Sequence, residues 1–164
     1  MWKNRGGMMI KVDIPGYGPV ALEHVVMDYN GTLAVDGDLI DGVGEALTRL
    51  ASSLELHVLT ADTFGKAAEG LAGLPCKLSI LPREDQAGGK LAYVRDLGAE
   101  KCACIGNGRN DRLMLEAAGL GIAVILEEGA AVETVNAADI VCPTITSALA
   151  LLSSPLRLTA TLRS

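Results

Sequence analysis

The feature that most limits the fold is an alternation, along 54–152, of short Val-, Ile- and Leu-rich runs with stretches whose apolar residues recur at helical spacing. Strands are expected over 54–60, 76–81, 101–105, 121–126 and 139–142, and helices over 64–71, 88–97, 111–118, 130–137 and 147–152. Strands separated by helices pair in parallel, and the helices cross the faces of the sheet. The pattern predicts an α/β fold, a three-layer doubly wound parallel sheet of Rossmann-like type. Upstream, Ile10-Lys11-Val12-Asp13-Ile14 alternates apolar with polar, Pro15-Gly16-Tyr17-Gly18-Pro19 breaks it, and an apolar run resumes over 20–27. This reads as an N-terminal β-hairpin leading into a central strand. Past Asp28, a loop with Asp36, Gly37 and Asp38 precedes Val43, Ala46, Leu47 and Leu50, which are spaced for one helix face.

A chain of 164 residues is long enough for one domain with a full core. One domain is expected over 1–164, with a core at about 20–152, a flexible extension over 1–8 and a short, loosely packed tail from Pro155. Hydrophobic residues make up 49% but aromatics only 3%, so the core must be built from Leu, Val, Ile and Ala, as in strands sandwiched by helices. The net charge of −6 argues against a nucleic-acid partner, whose phosphates need clustered Lys and Arg. No apolar run approaches the roughly 18 residues of a membrane span, and Lys11 and Asp13 interrupt the first apolar stretch. A cytoplasmic protein with no membrane partner is expected. Cys76, Cys102, Cys104 and Cys142 read as buried free thiols rather than a zinc or disulfide set.

In sheets of this kind ligands bind beyond the carboxyl ends of the strands. Three polar clusters converge there: Asp28, Thr60, and the run from Gly106 to Asp111. In Asp28-Tyr29-Asn30-Gly31-Thr32-Leu33 a carboxylate stands where a buried strand enters a glycine turn, which makes Asp28 a candidate phosphoryl acceptor. In Leu59-Thr60-Ala61-Asp62 the Thr60 hydroxyl can donate to a phosphoryl oxygen, although Thr60 or Asp62 would also serve to cap the next helix. Lys90, in the helical run from Lys90 to Leu97, supplies a cation, with Lys66 as the competing choice. Gly106-Asn107-Gly108-Arg109-Asn110-Asp111 combines glycines, which let the backbone turn tightly, with amide and carboxylate groups.

These four runs, in this order, resemble the motifs of the haloacid dehalogenase-like (HAD) phosphotransferase superfamily: Asp-x-Asp-Gly-Thr, a strand-terminal Ser or Thr, a Lys, and Gly-Asp-Gly-x-Asn-Asp. The likeness covers about 22–152 and is closest to the phosphorylation core of P-type ATPases, with Gly121-Ile122-Ala123 as the strand that follows the last motif. It implies an Mg²⁺-dependent phosphohydrolase acting through a phospho-aspartyl intermediate on Asp28. By the same resemblance Asp28, the backbone carbonyl of Asn30, Asn107 and Asp111 would serve the metal. Thr60, Ala61, Lys90 and Asn110 would hold the phosphate, and its substrate would be a phosphorylated small molecule or phosphoprotein.

Two positions depart from the family pattern. Asn30 replaces the second Asp of motif one, as a Thr does in P-type ATPases, and Asn107 replaces the Asp expected to ligate Mg²⁺. An amide neither gives nor takes a proton at useful pH, so Asn30 removes general acid–base help typically worth about 10²–10⁴ in rate. Slow turnover, or turnover limited to good leaving groups, is expected; the alternative is a catalytically weak phosphoryl-sensing or regulatory module. The intervals between Asp28, Thr60 and Lys90 are too short for a separate cap domain, and the 33–40 segment is long enough only for a small flap. An open, capless site is expected, covered by a homo-oligomer partner or a large substrate.

Overall fold

The computed structural model describes residues 9–62 and 65–164. The expected flexible extension over 1–8, and Phe64 at the start of one expected helix, lie outside the described residues. β1 (Ile10–Ile14) and β2 (Gly18–Leu22) form an antiparallel hairpin. β3 (His24–Asp28) then enters the main sheet, β4 (Ala34–Val35) and β5 (Asp38–Leu39) form a small hairpin, and α1 (Val43–Leu50) leads to β6 (Glu55–Thr60). α2 (Lys66–Gly70), β7 (Lys77–Ile80) and α3 (Gln86–Leu97) complete the first half. The second half runs through β8 (Cys102–Gly106), α4 (Arg112–Ala117), β9 (Leu120–Val124), α5 (Val132–Ala137), β10 (Ile140–Cys142), α6 (Ile145–Leu152) and α7 (Pro155–Leu162).

The main sheet has six strands in the order β10-β9-β8-β3-β6-β7, with every neighbouring pair parallel. The chain winds outward from β3 through β6 to β7, then returns to the other side of β3 and winds outward through β8, β9 and β10. The reversal falls between β3 and β8, the position at which sheets of this kind bind ligands. Both faces are covered, which is why β8 and β9 are buried throughout and read as continuous apolar runs. Side chains alternate between the faces: Val25 and Met27 pack with Val43, Leu47, Ala148 and Leu149 of α1 and α6, while Val26 packs with Val94, Met114 and Leu115 of α3 and α4.

The elements expected over 54–152 appear within two residues of their expected ends, the usual uncertainty of helix and strand termini. Two expectations need correction. The apolar run over 20–27 is not one strand, because it breaks at Glu23 between β2 and β3, which belong to different sheets. There the Glu23 amide bonds to the Lys101 carbonyl at 2.9 Å and the Glu23 carbonyl accepts from Glu55 at 3.0 Å. Nor is the tail from Pro155 loose. Pro155 opens α7 at a position where a missing N–H costs nothing, and α7 packs on β1 with Leu158 fully buried. Burying a leucine contributes about 1.5–3 kcal/mol, and the apolar alternation of β1 leaves Ile10 and Ile14 on a face that this helix covers.

Candidate active site

Asp28 closes β3, Thr60 closes β6, and Asn107 follows the last residue of β8, so three adjacent strands deliver polar side chains to one edge of the sheet. They open on a cleft of about 510 Å³, also lined by Asn30, Ala61, Lys90, Asn110 and Glu128. Each residue expected at the site therefore lines this cleft except Asp111.

Lys90, on the second turn of α3, is 1% exposed and reaches between two carboxylates. Its Nζ donates to Asp28 Oδ1 at 2.9 Å and to Asp111 Oδ1 at 2.7 Å. Lys66, the competing choice, is instead exposed on α2 and donates to the Asp36 carbonyl at 3.3 Å. Burial works against the Lys90 ammonium, but Asp28 and Asp111 outweigh it and hold its pKa above the ordinary lysine value. Burial and the negative charge of Asp111 push Asp28 up to about 7, against the lowering pull of Lys90.

Asp111 lies beneath the cleft, 0% exposed. Its Oδ2 accepts the backbone N–H groups of Asn107 and Gly108, each at 3.0 Å, while Oδ1 takes Lys90. Asp111, expected to serve a metal, here shapes the loop and anchors the lysine. Gly106 makes room for it, since a Cβ there would stand 2.5 Å from Asp111 Cγ. Thr60 accepts from the Asp62 amide at 3.3 Å, so its hydroxyl hydrogen is left to turn toward a ligand. Capping of α2 falls to Asp62, whose two oxygens accept from Ala67 and Ala68 at 2.8 and 3.2 Å.

Between Asp28 and Asn107 there is an excess of acceptors. The Thr32 hydroxyl faces Asp28 Oδ2 at 3.5 Å and Asn107 Oδ1 at 3.3 Å, both long for O–H···O, and it has one hydrogen for the two. Glu128 adds a carboxylate nearby. A Cβ on Gly31, which sits at φ +80°, would meet Glu128 Oε2 at 2.4 Å and Asn107 Nδ2 at 2.5 Å. The turn carrying Glu128 is tied to Asn107 by two bonds, Asn107 Nδ2 to the Gly129 carbonyl at 3.1 Å and the Ala131 amide to the Asn107 carbonyl at 2.9 Å. Asp28, Asn107, Glu128 and the Asn30 carbonyl could together offer an all-oxygen set of the kind that suits Mg²⁺. The contributions of Thr32 and Glu128 escape sequence reasoning. Thr32 was visible only as part of a motif, and Glu128 belongs to a turn distant in sequence from its neighbours at the site.

Residues 87–148 match the haloacid dehalogenase-like hydrolase family. An uncharacterised protein of Methanocaldococcus jannaschii is 46% identical over 78 residues, covering 45% of this chain and 84% of its own length. A second from the same organism is 46% identical over 39 residues, 24% of this chain and 89% of its own. Among solved structures, the cobalt-bound deoxy-D-mannose-octulosonate 8-phosphate phosphatase of Haemophilus influenzae matches with a TM-score of 0.68 at 18% identity, over 87% of this chain and 94% of that one. The corresponding phosphatase of Moraxella catarrhalis, in complex with magnesium, phosphate and its sugar acid, matches with a TM-score of 0.63 at 19% identity over the same shares, 87% and 94%. The catalytic domain of the CPx-ATPase CopB-B is further away, at a TM-score of 0.56 and 23% identity over 71% of this chain and 46% of that one. Sequence, sheet order and the residues gathered at the strand ends agree: this chain has the haloacid dehalogenase-like fold and carries that hydrolase family's sequence pattern over residues 87–148.

Proposed function

We propose that the protein is an Mg²⁺-dependent phosphohydrolase that works through a phospho-aspartyl intermediate on Asp28 and is limited to good leaving groups. The observation that carries this reading is the Asp28–Lys90–Asp111 bridge at the floor of a cleft that also holds Thr60 and Asn110. An Asp28 oxygen forms a bond to phosphorus as the ester P–O bond breaks and the leaving group departs with the electron pair. Lys90 keeps Asp28 in place and offsets the charge of the phosphoryl oxygens, with Thr60 and Asn110 as their donors. Water then attacks phosphorus, releasing phosphate and restoring the carboxylate. Asp28, Asn107, Glu128 and the Asn30 carbonyl would hold the divalent cation, which when bound supplies positive charge between Asp28 and the phosphate.

Asn30, exposed at the cleft rim, cannot protonate a leaving alkoxide. Departing groups that are stable as anions, such as acyl phosphates, aryl phosphates or nucleoside triphosphates, suit this site. The relatives named for an octulosonate 8-phosphate support a phosphorylated small molecule as the substrate class. Between β3 and β6 stand only β4, β5 and α1, so the cleft is open, and a homo-oligomer partner is the proposed cover. Phosphate release from acetyl phosphate, an aryl phosphate and ATP, with and without Mg²⁺, tests the proposal. Release should require Mg²⁺ and vanish in Asp28→Ala; release retained in that variant would overturn the role of Asp28. No release with any of the three from folded protein would favour the regulatory, phosphoryl-sensing reading that the two asparagines support.

A further inference from the structure

At the opposite end of the main sheet from Asp28, three side chains on adjacent strands aim their donor atoms at one point. His24 opens β3, and Glu55 and His57 lie at the start of β6, with His24 paired to Glu55 in the register. His24 Nδ1 is 3.1 Å from His57 Nε2 and 3.1 Å from Glu55 Oε2, and His57 Nε2 is 3.7 Å from Glu55 Oε2. Ligands on a tetrahedron of Zn–N radius 2.0–2.1 Å stand about 3.3 Å apart. The three observed separations bracket that value.

The surroundings prepare these atoms for a cation. His57 Nδ1 bonds to Tyr93 Oη at 2.7 Å; with the ring proton on that nitrogen, the Nε2 lone pair points at the shared point. His57 is buried, an environment that favours the neutral ring a ligand must present. Glu55 turns its other oxygen to Lys77 Nζ at 3.2 Å, which leaves Oε2 facing the histidines. Glu23 Oε2 lies 4.0 Å from His24 Nε2, an acceptor on the outer side of that ring. Without a cation, the His57 Nε2 and Glu55 Oε2 lone pairs would share the single hydrogen on His24 Nδ1. A cation would satisfy all three atoms at once. His24 and Glu55 are partly exposed, giving an ion a way in from the sheet edge.

We propose that His24, Glu55 and His57 form a second metal site, specific for a borderline divalent cation of the Zn²⁺ class, with a water in the fourth position. It is separate from the cleft, because the four residue steps from His24 to Asp28 span about 13 Å of strand. Its mixed nitrogen and oxygen set contrasts with the all-oxygen set at the cleft, so the two sites select different ions. A bound ion ties the first residues of β3 and β6 together and stabilises the sheet at the edge remote from the chemistry.

The test uses the full chain, stripped by a chelator, dialysed and held in saturating Mg²⁺. Calorimetric titration with Zn²⁺ should show one equivalent bound and a raised unfolding temperature. Binding should persist in Asp28→Asn. It should weaken on the order of 100-fold or more in His24→Ala and in Glu55→Gln, which replace partly exposed groups and keep the fold, and about 10–100-fold in Tyr93→Phe. Co²⁺ in place of Zn²⁺ should give a tetrahedral spectrum without a thiolate charge-transfer band, which separates this site from capture by a cysteine. Absence of a stoichiometric Zn²⁺ equivalent, undiminished binding in both His24→Ala and Glu55→Gln, or loss of binding in Asp28→Asn would each overturn the proposal.

Discussion

Replacing Lys90 by methionine keeps a chain of similar length in the core of the site and removes the charge that two carboxylates share. Each carboxylate oxygen lies within 2.9 Å of Nζ. At an effective dielectric constant of about 20, charges at such separations attract by about 6 kcal/mol per pair before desolvation is counted. The net effect of removing one partner from a buried ion pair is smaller, about 3–5 kcal/mol, and arises mainly from the charge left behind. Here that charge is Asp111, which is fully buried, together with Asp28. A loss of this size is a large share of an ordinary stability of about 5–15 kcal/mol. At about 2–4 °C per kcal/mol it lowers the melting temperature by about 6–20 °C. Burial and Asp111 already push the Asp28 pKa up to about 7, and without Lys90 it rises further. Because the folded state then binds more protons than the unfolded state between pH 4 and 8, stability falls as pH rises, and the variant loses more at pH 8 than at pH 5. Urea denaturation in chelator at both pH values measures this. The Lys90→Met/Asp28→Asn pair should recover at least half of the loss. A cost under about 1 kcal/mol at pH 8, or the same cost at both pH values, would refute the view that Lys90 holds two buried carboxylates together.

Asn30→Asp restores a proton donor at the cleft rim and should raise turnover of alkyl phosphates by up to about 10²–10⁴, with a smaller gain on acetyl phosphate if phosphoenzyme formation limits. No gain on any substrate, in a variant that folds and binds Mg²⁺, would remove the catalytic reading. Glu128→Gln should weaken Mg²⁺ by about 10-fold or more, read as a shifted midpoint of Mg²⁺-induced thermal stabilisation; an unchanged midpoint would place Glu128 outside the cation's surroundings. Asp28 has a raised pKa in the metal-free fold, so its contribution is fully present below about pH 4 and is lost as pH rises through about 7. Asp28→Asn should therefore be more stable than the parent at pH 8 in chelator, with the difference vanishing toward pH 4; a difference independent of pH would contradict this.

Periodicity alone determined the α/β class. Whether a run is a strand or a helix depends on side chains two to four residues apart, and the alternation of the two leaves parallel pairing as the route for the sheet. The four polar runs were legible for the same reason, since each is a local pattern at the end of a strand or the start of a helix. What the sequence left open depends on distant neighbours. Lys90 and Lys66 are equivalent on paper, and the crossing of α3 over the sheet brings only Lys90 between Asp28 and Asp111. The motif does not reveal that the turn after β8 directs the Asp111 carboxylate inward to two backbone amides. Glu128 meets Gly31 and Asn107 because β9 lies beside β8, a pairing that no local signal announces. The break at Glu23 and the docking of α7 on β1 likewise follow from which apolar faces remain to be covered once the main sheet is built. His24, Glu55 and His57 became neighbours only through the register of β3 against β6, set by burial of both sheet faces rather than by any local motif.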